Sequence, residues 1–156
     1  MTQSVLDKTQ FLNVDLDIVS KSDLKPLIDA MGDRIIVLYV GRVKRHYEAH
    51  LELAGSPLPQ AGHPKSPESL VLGFCKVIRR LPPDAKKLWD DARTRSFDIG
   101  IEARGPYRYY WFALTQKAIR AALEVNAQIA VTVYGPLKRP KAPSKTRQDV
   151  ASDYRQ

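Results

Sequence analysis

The sequence predicts a single α/β domain, and three observations lead to that prediction. The chain has 156 residues and is 44% apolar, which suits one ordinary globular domain with a buried core. Stretches with alternating apolar residues, typical of half-buried strands, are separated by stretches with helical apolar spacing. Their order along the chain is β-α-β-β-α-α-β-β-α-β, so we expect helices packed on a sheet.

The first part of this order, residues 11–103, has the β-α-β-β-α-β pattern of a ferredoxin-like core. A further β-α-β extends that core. A shift of 95 residues also aligns four residues with similar ones: Leu24, Ile28, Asp29 and Tyr39 with Ile119, Leu123, Glu124 and Tyr134. Two βαβ halves related by a pseudo-two-fold axis would explain the match, and so would chance periodicity in amphipathic helices.

Three elements are predicted in the N-terminal third of the chain. Residues 11–19 alternate, which predicts a half-buried strand. A helical stripe follows and ends at Gly32; its apolar residues are Leu24, Leu27, Ile28 and Met31. Residues 35–40 are all apolar, which predicts a central strand covered on both faces.

The remaining elements are predicted from the same two patterns, strand alternation and helical apolar spacing. Residues 46–53 alternate as a strand, Ser66 begins a helix, a short helix covers 84–92, and residues 95–103 alternate again. A turn at Gly105-Pro106 leads into a predicted strand over 107–114. Thr115 begins a last helix with Ile119, Ala122 and Leu123 on its buried side, and a strand over 128–135 completes the domain.

The net charge of +8 is distributed unevenly along the chain. Residues 1–75 carry 8 basic and 9 acidic groups, residues 76–137 carry 11 and 6, and residues 138–156 carry 6 and 2. The last stretch has almost no large apolar side chain, so we expect a disordered basic tail. The predicted organisation is an N-terminal extension over 1–9, one domain over 10–137 and a tail over 138–156.

Motifs for several classes of enzyme are absent from the sequence. There is no glycine-rich phosphate loop, no G-x-S-x-G, no H-E-x-x-H and no C-x-x-C. Cys75 is the only cysteine, the longest apolar run has six residues, and the first ten residues do not resemble a secretory signal. We therefore expect a cytoplasmic protein with no cofactor and no membrane contact.

The sharpest chemical feature is the alternating set His46, Glu48 and His50. On a strand these side chains share one face, and imidazole and carboxylate groups suit zinc or another first-row metal. Further ligands or paired acid–base groups would come from acidic residues of neighbouring strands: Asp15, Asp17, Asp98 and Glu102. The ordinary alternative is the solvated face of a half-buried sheet.

A basic segment over 76–95 and the tail form the candidate nucleic-acid surface. Its residues are Lys76, Arg79, Arg80, Lys86, Lys87, Lys138, Arg139 and Lys141. Cations at the end of a helix also have a local role with the helix dipole.

The aromatic run from Tyr107 to Phe112 could stack unpaired bases. Because carboxylates on the first and third strands would repel phosphate, we expect these rings to pack in the core instead.

These observations favour a non-enzymatic interaction module, an accessory or immunity-type protein that binds another protein. Nucleic-acid binding through 76–95 and the tail is the first alternative. A metal-dependent enzyme centred on His46, Glu48 and His50 is the second. The sequence does not indicate an oligomeric state.

Overall fold

The computed structural model describes residues 9–55, 66–104 and 109–135, and they form a mixed α+β fold. A five-stranded sheet consists of β1 (Gln10–Ser20), β2 (Ile35–Val43), β3 (His46–Leu53), β4 (Thr94–Glu102) and β5 (Gln128–Tyr134). Four helices accompany it: α1 (Lys25–Met31), α2 (Pro67–Arg79), α3 (Pro83–Asp91) and α4 (Gln116–Glu124). Among the described helices, none is both long and apolar enough to span a bilayer.

The strands lie in the order β2-β3-β1-β4-β5. The pairs β2–β3, β3–β1 and β1–β4 are antiparallel, whereas β5 is parallel to β4. The sheet is therefore mixed, with β2 and β5 at its two edges.

One face of the sheet carries the hydrophobic core. Alternate residues of three neighbouring strands, among them Leu16, Leu51 and Phe97, are fully buried there, and all four helices contribute to the same cluster. Phe74 of α2 stacks on Phe97 with ring centroids 5.7 Å apart. Helix α2 lies so close to β3 that a Cβ at Gly73 would stand 2.4 Å from a Leu53 methyl.

Local polar contacts fix the helices around this core. Ser66 caps α2 in a reciprocal capping box with Ser69, as the sequence predicts for the start of that helix. The indole of buried Trp89 donates to the Val125 carbonyl at 2.8 Å, which ties α3 to the end of α4. The Arg95 guanidinium donates to four carbonyl oxygens around the same junction.

The prediction of a central strand at residues 35–40 is wrong. These residues belong to β2, which is an edge strand that extends to Val43, and the side chains from Ile36 to Val40 are 39–52% exposed. An uninterrupted apolar run predicts burial on both faces, but the helices do not extend over this edge. The turn between β2 and β3 lies at Lys44 and Arg45.

The prediction of a strand over 107–114 is also wrong for its described part. Residues 109–114 form neither helix nor strand, and Tyr109 and Trp111 are 85% and 77% exposed rather than packed in the core. Phe112 does pack against the core. Aromatic and β-branched residues favour strands only where neighbouring strands accept them.

Helix α4 buries small residues, including the predicted Ala122, but not the two large residues predicted with it. Ala118, Ala121 and Ala122 face the core, whereas Ile119 and Leu123 are 45% and 71% exposed. The counterparts Leu24 and Ile28 in the proposed internal repeat are buried. The repeat is accordingly not confirmed. The predicted N-terminal extension lies outside the described residues apart from Thr9, and the predicted basic tail lies outside them entirely.

Candidate functional site: an acidic open face of the sheet

The sheet surface opposite the helices, which we call the open face, is mostly polar along its three central strands. Since all four helices pack on the other side, no described helix covers it. Strands β1, β3 and β4 place six carboxylates on the open face: Asp15, Asp17, Glu48, Glu52, Asp98 and Glu102. Each of these side chains is part-buried. The alternation predicted from the sequence produces this face directly.

Three of these carboxylates form a row across neighbouring strands, which we call the acid row. Asp15 of β1 is paired with Glu52 of β3 on one side and with Asp98 of β4 on the other. Directly opposed side chains in antiparallel strands have Cβ atoms only about 5 Å apart. Burial, followed by the charges of Glu52, Asp17 and Asp98, raises the pKa of Asp15 from 3.8 to about 6.

Two histidines are held by carboxylates beside the acid row. Nδ1 of His50 lies 2.7 Å from Oδ1 of Asp17, and its Nε2 lies 3.8 Å from Oε2 of Glu48. Nε2 of His46 lies 2.6 Å from Oε1 of Glu48. Contacts between ring nitrogens and carboxylate oxygens therefore link His46, Glu48, His50 and Asp17 to one another.

The β4 side of the open face is held by similar contacts. The Thr132 hydroxyl lies 2.9 Å and 2.7 Å from the two Asp98 oxygens, so β5 contributes a donor to the acid row. Glu102 accepts from Arg104 at 2.7 Å and from Gln10 at 3.2 Å. These bonds lower the pKa of Glu102, which keeps a negative charge at this end of the face.

A shallow recess of about 220 Å³ lies over the acid row. All three carboxylates of the row line it, with Leu12 and Tyr134 at its apolar border. Leu12 and Tyr134 are 43% and 50% exposed. The recess therefore offers negative charge next to exposed apolar surface.

Ser96 adds an unusual polar group near this recess. It is paired with Asp17 across β1 and β4, and it is only 5% exposed. Among the buried side-chain atoms of the described residues, Ser96 Oγ alone has no hydrogen-bond partner. Such an atom costs stability unless another group satisfies it.

The candidate metal ligands predicted from the sequence, His46, Glu48 and His50, do lie on one face. In the described ranges, however, no three His, Cys, Asp or Glu side chains are grouped so that they could hold a metal ion. His46 contacts Glu48, whereas His50 contacts Asp17. Metal binding here stays a prediction.

The predicted basic surface is divided between paired and exposed cations. Arg79 pairs with Glu124 at 2.6 Å, and Lys86 pairs with Asp90 at 2.5 Å. Lys76, Arg80 and Lys87 are exposed on helices α2 and α3 and at the end of α2. The remaining members of this set, Lys138, Arg139 and Lys141, lie outside the described residues.

Sequence reasoning identified most of the acidic residues but not their arrangement. Asp15, Asp98 and Glu102 stand out by alternation, yet Glu52 enters the site only through its register with Asp15. Its position on the polar side of a predicted strand was the signal available. Cross-strand register is a long-range property that alternation does not specify.

Comparison with protein-family models, with curated protein sequences and with solved structures finds no match to this chain. Function must accordingly be inferred from the geometry and charge of the open face.

Proposed function

We propose that this chain is a non-enzymatic interaction module, of accessory or immunity type, whose open face binds a cationic segment of a partner protein. The observation that carries the proposal is the acid row, where Glu52, Asp15 and Asp98 lie side by side on an uncovered sheet. Adjacent carboxylates repel one another, and an incoming Lys or Arg side chain relieves that repulsion.

The charge distribution supports a partner of this kind. The chain as a whole carries +8, whereas the open face concentrates six carboxylates. A local field opposite in sign to the net charge orients a partner and favours one docking surface over the rest of the molecule.

Apolar groups at the borders of the open face favour Lys and Arg over small inorganic cations. Leu12 and Tyr134 border the recess, and on β2 the register places Ile36 opposite Glu52 and Tyr39 opposite His50. The long stems of Lys and Arg pack on such surfaces while their charged heads meet carboxylates, and a tyrosine ring also attracts a cation.

The proposal can be tested with an oligo-arginine peptide, using an oligo-glutamate peptide as the charge-reversed probe. Fluorescence anisotropy would compare the wild type with the double variant Glu52→Gln/Asp98→Asn. We expect binding of oligo-arginine that weakens with salt and falls at least about tenfold in the variant.

The matched control is Asp84→Asn/Asp91→Asn, which removes the same charge from exposed positions of α3. This variant should bind oligo-arginine within about twofold of the wild type, since only the total charge has changed. An equal loss in both variants, or no binding by the wild type, would contradict the proposal.

We also propose the finer fold assignment, a ferredoxin-like unit of β1–β4 extended by β5. It is supported by the order β2-β3-β1-β4 and by the antiparallel pairing throughout that part of the sheet. A cytoplasmic location is also proposed, since the lone cysteine, Cys75, is buried and free.

Nucleic-acid binding and metal-dependent catalysis stay predictions, and no contact among the described residues favours either of them over protein binding. Titration with single- and double-stranded oligonucleotides would test the first. Elemental analysis of protein purified without a metal-affinity tag would test the second.

A further inference from the structure

The function proposed above uses only the side chains of Ile36 and Tyr39 on β2, and it leaves the backbone edge of that strand unused. Among the described residues, β2 pairs with β3 alone, so the backbone along its other side has no strand beside it. Five consecutive apolar residues, from Ile36 to Val40, are exposed along this edge. Monomeric proteins usually protect an edge of this kind with charges, proline or a covering element.

The apolar surface of β2 extends over both faces of the strand. Ile36 and Tyr39 lie opposite Glu52 and His50 on the open face, whereas Val37 lies opposite Leu51 on the helix side. A strand added beside β2 would therefore bury apolar side chains above and below its backbone, in addition to forming ladder hydrogen bonds.

We propose that β2 pairs antiparallel with β2 of a second copy of this chain, which joins two five-stranded sheets across a two-fold axis. Such an interface is isologous, because the same strand is contributed by both copies. It also continues the antiparallel pairing that β2 already has with β3.

The sequence of β2 suits pairing with itself. A two-fold axis perpendicular to the sheet between Val37 and Leu38 sets Ile36 of one copy against Tyr39 of the other, and both residues lie on the open face. No charged residue occurs from Ile35 to Gly41, so no like charges are brought together within that stretch. Apolar cross-strand pairs stabilise a sheet, whereas opposed like charges destabilise it.

The area available is in the range of a weak, specific dimer. The exposed surface of these five residues is roughly 450 Å² per copy, which is an upper limit on what each copy can bury, so the interface stays below the ~1,000 Å² expected of a stable biological interface. The register of β2 against β3 also shifts between Val37 and Tyr39. Such an irregularity increases local twist and limits the ladder, so we expect dissociation on dilution.

The test compares one lysine substitution on each edge of the sheet. Leu38→Lys on β2 places two ammonium groups beside the two-fold axis, and Val133→Lys on β5 is the matched control; the two residues are 52% and 62% exposed. Sedimentation equilibrium should show the wild type rising from 17.6 kDa toward twice that mass as concentration increases. Leu38→Lys should weaken association at least about tenfold, and Val133→Lys should leave it unchanged.

A second measurement does not depend on the lysine variant folding well. Leu38→Cys should be linked to its counterpart by a short bis-maleimide faster than Val133→Cys is. Background from Cys75 is low, because that thiol is fully buried and burial raises its pKa to about 11.

Three results would overturn the proposal. One is a wild type that remains monomeric at every concentration, including the case in which another segment or another protein covers β2. Another is association lost in Val133→Lys but kept in Leu38→Lys, which would place the interface at β5. The third is equal cross-linking of the two cysteine variants.

Discussion

The two faces of the sheet are built from the same strands yet have opposite character. On β4, Phe97 is fully buried under α2, and its neighbour Asp98 faces the open side next to Asp15. One residue of translation along the strand separates a packed core from an acidic surface. Alternation of side chains across a strand makes this possible.

The comparison teaches that stability and recognition are separated in this fold. The helix side carries the large fully buried side chains, including Trp89, Phe74 and Phe97. The open face carries part-buried carboxylates that repel one another, with Asp15 as the most perturbed. Burial of apolar area stabilises the fold, whereas like charges in a row reduce its stability and favour a cationic ligand.

Substitutions on adjacent residues of β4 give the largest expected difference. Phe97→Ala should lower the free energy of unfolding by about 3–5 kcal/mol, because it removes a buried ring and leaves a cavity. Asp98→Ala should change it by less than about 1 kcal/mol, since the side chain is part-buried and lies among like charges. Urea denaturation monitored by tryptophan fluorescence measures both. Similar losses for the two variants would show that the faces do not differ as described.

The acid row should make stability depend on pH with a definite sign. The pKa of Asp15 is raised from 3.8 to about 6, so the folded state holds this proton more tightly than the unfolded chain does. Its contribution is therefore fully present below pH 4 and is lost as pH rises toward 6. Allowing for solvent screening at this part-exposed site, the loss is about 1–2 kcal/mol.

The variant Asp15→Asn should lack this loss and be more stable than the wild type at pH 7 by about the same amount. Thermal unfolding across pH 4–7 would show the two curves separating as pH rises. Asp33→Asn, which removes an exposed carboxylate outside the sheet, is the control for a change in net charge. Parallel curves of stability against pH for Asp15→Asn and wild type would contradict a raised pKa at Asp15.

The smallest expected effect is at the histidine beside the acid row. His50 and Asp17 are 2.7 Å apart, but their side chains are 41% and 30% exposed. Ion pairs with this degree of exposure are worth about 0–1 kcal/mol. A double-mutant cycle with His50→Ala and Asp17→Ala should give a coupling energy in that range at pH 7. A coupling above about 2 kcal/mol would mean that the open face stabilises the fold more than proposed.

Strand periodicity predicted β1, β3 and β4 to within one or two residues, because each is buried on one face only. The same reasoning was wrong for β2. A run such as Ile35–Val40 reads as buried on both faces, yet the helix layer ends before it reaches this edge. The prediction of a strand that included residues 109–114 was wrong for a related reason. A strand needs a partner with free hydrogen-bonding groups as well as suitable residues.

The sequence likewise predicted some features of the candidate site and not others. Alternation alone assigned Asp15 and His50 to polar faces of their strands, and local chemistry predicted that Ser66 caps the start of α2. Alternation did not say that Glu52 lies beside Asp15, or that Ser96 is buried without a hydrogen-bond partner. These facts depend on pairing between residues that are distant in the chain.

By itself, the sequence determined which side of each half-buried strand is apolar and where most helices begin and end. These properties depend on side-chain periodicity and on contacts within a few residues. Only the tertiary structure decided the strand order, the uncovered face and the exposed edge at β2. Those features depend on which elements pack together, and the free energy of that packing is shared among residues far apart in the sequence.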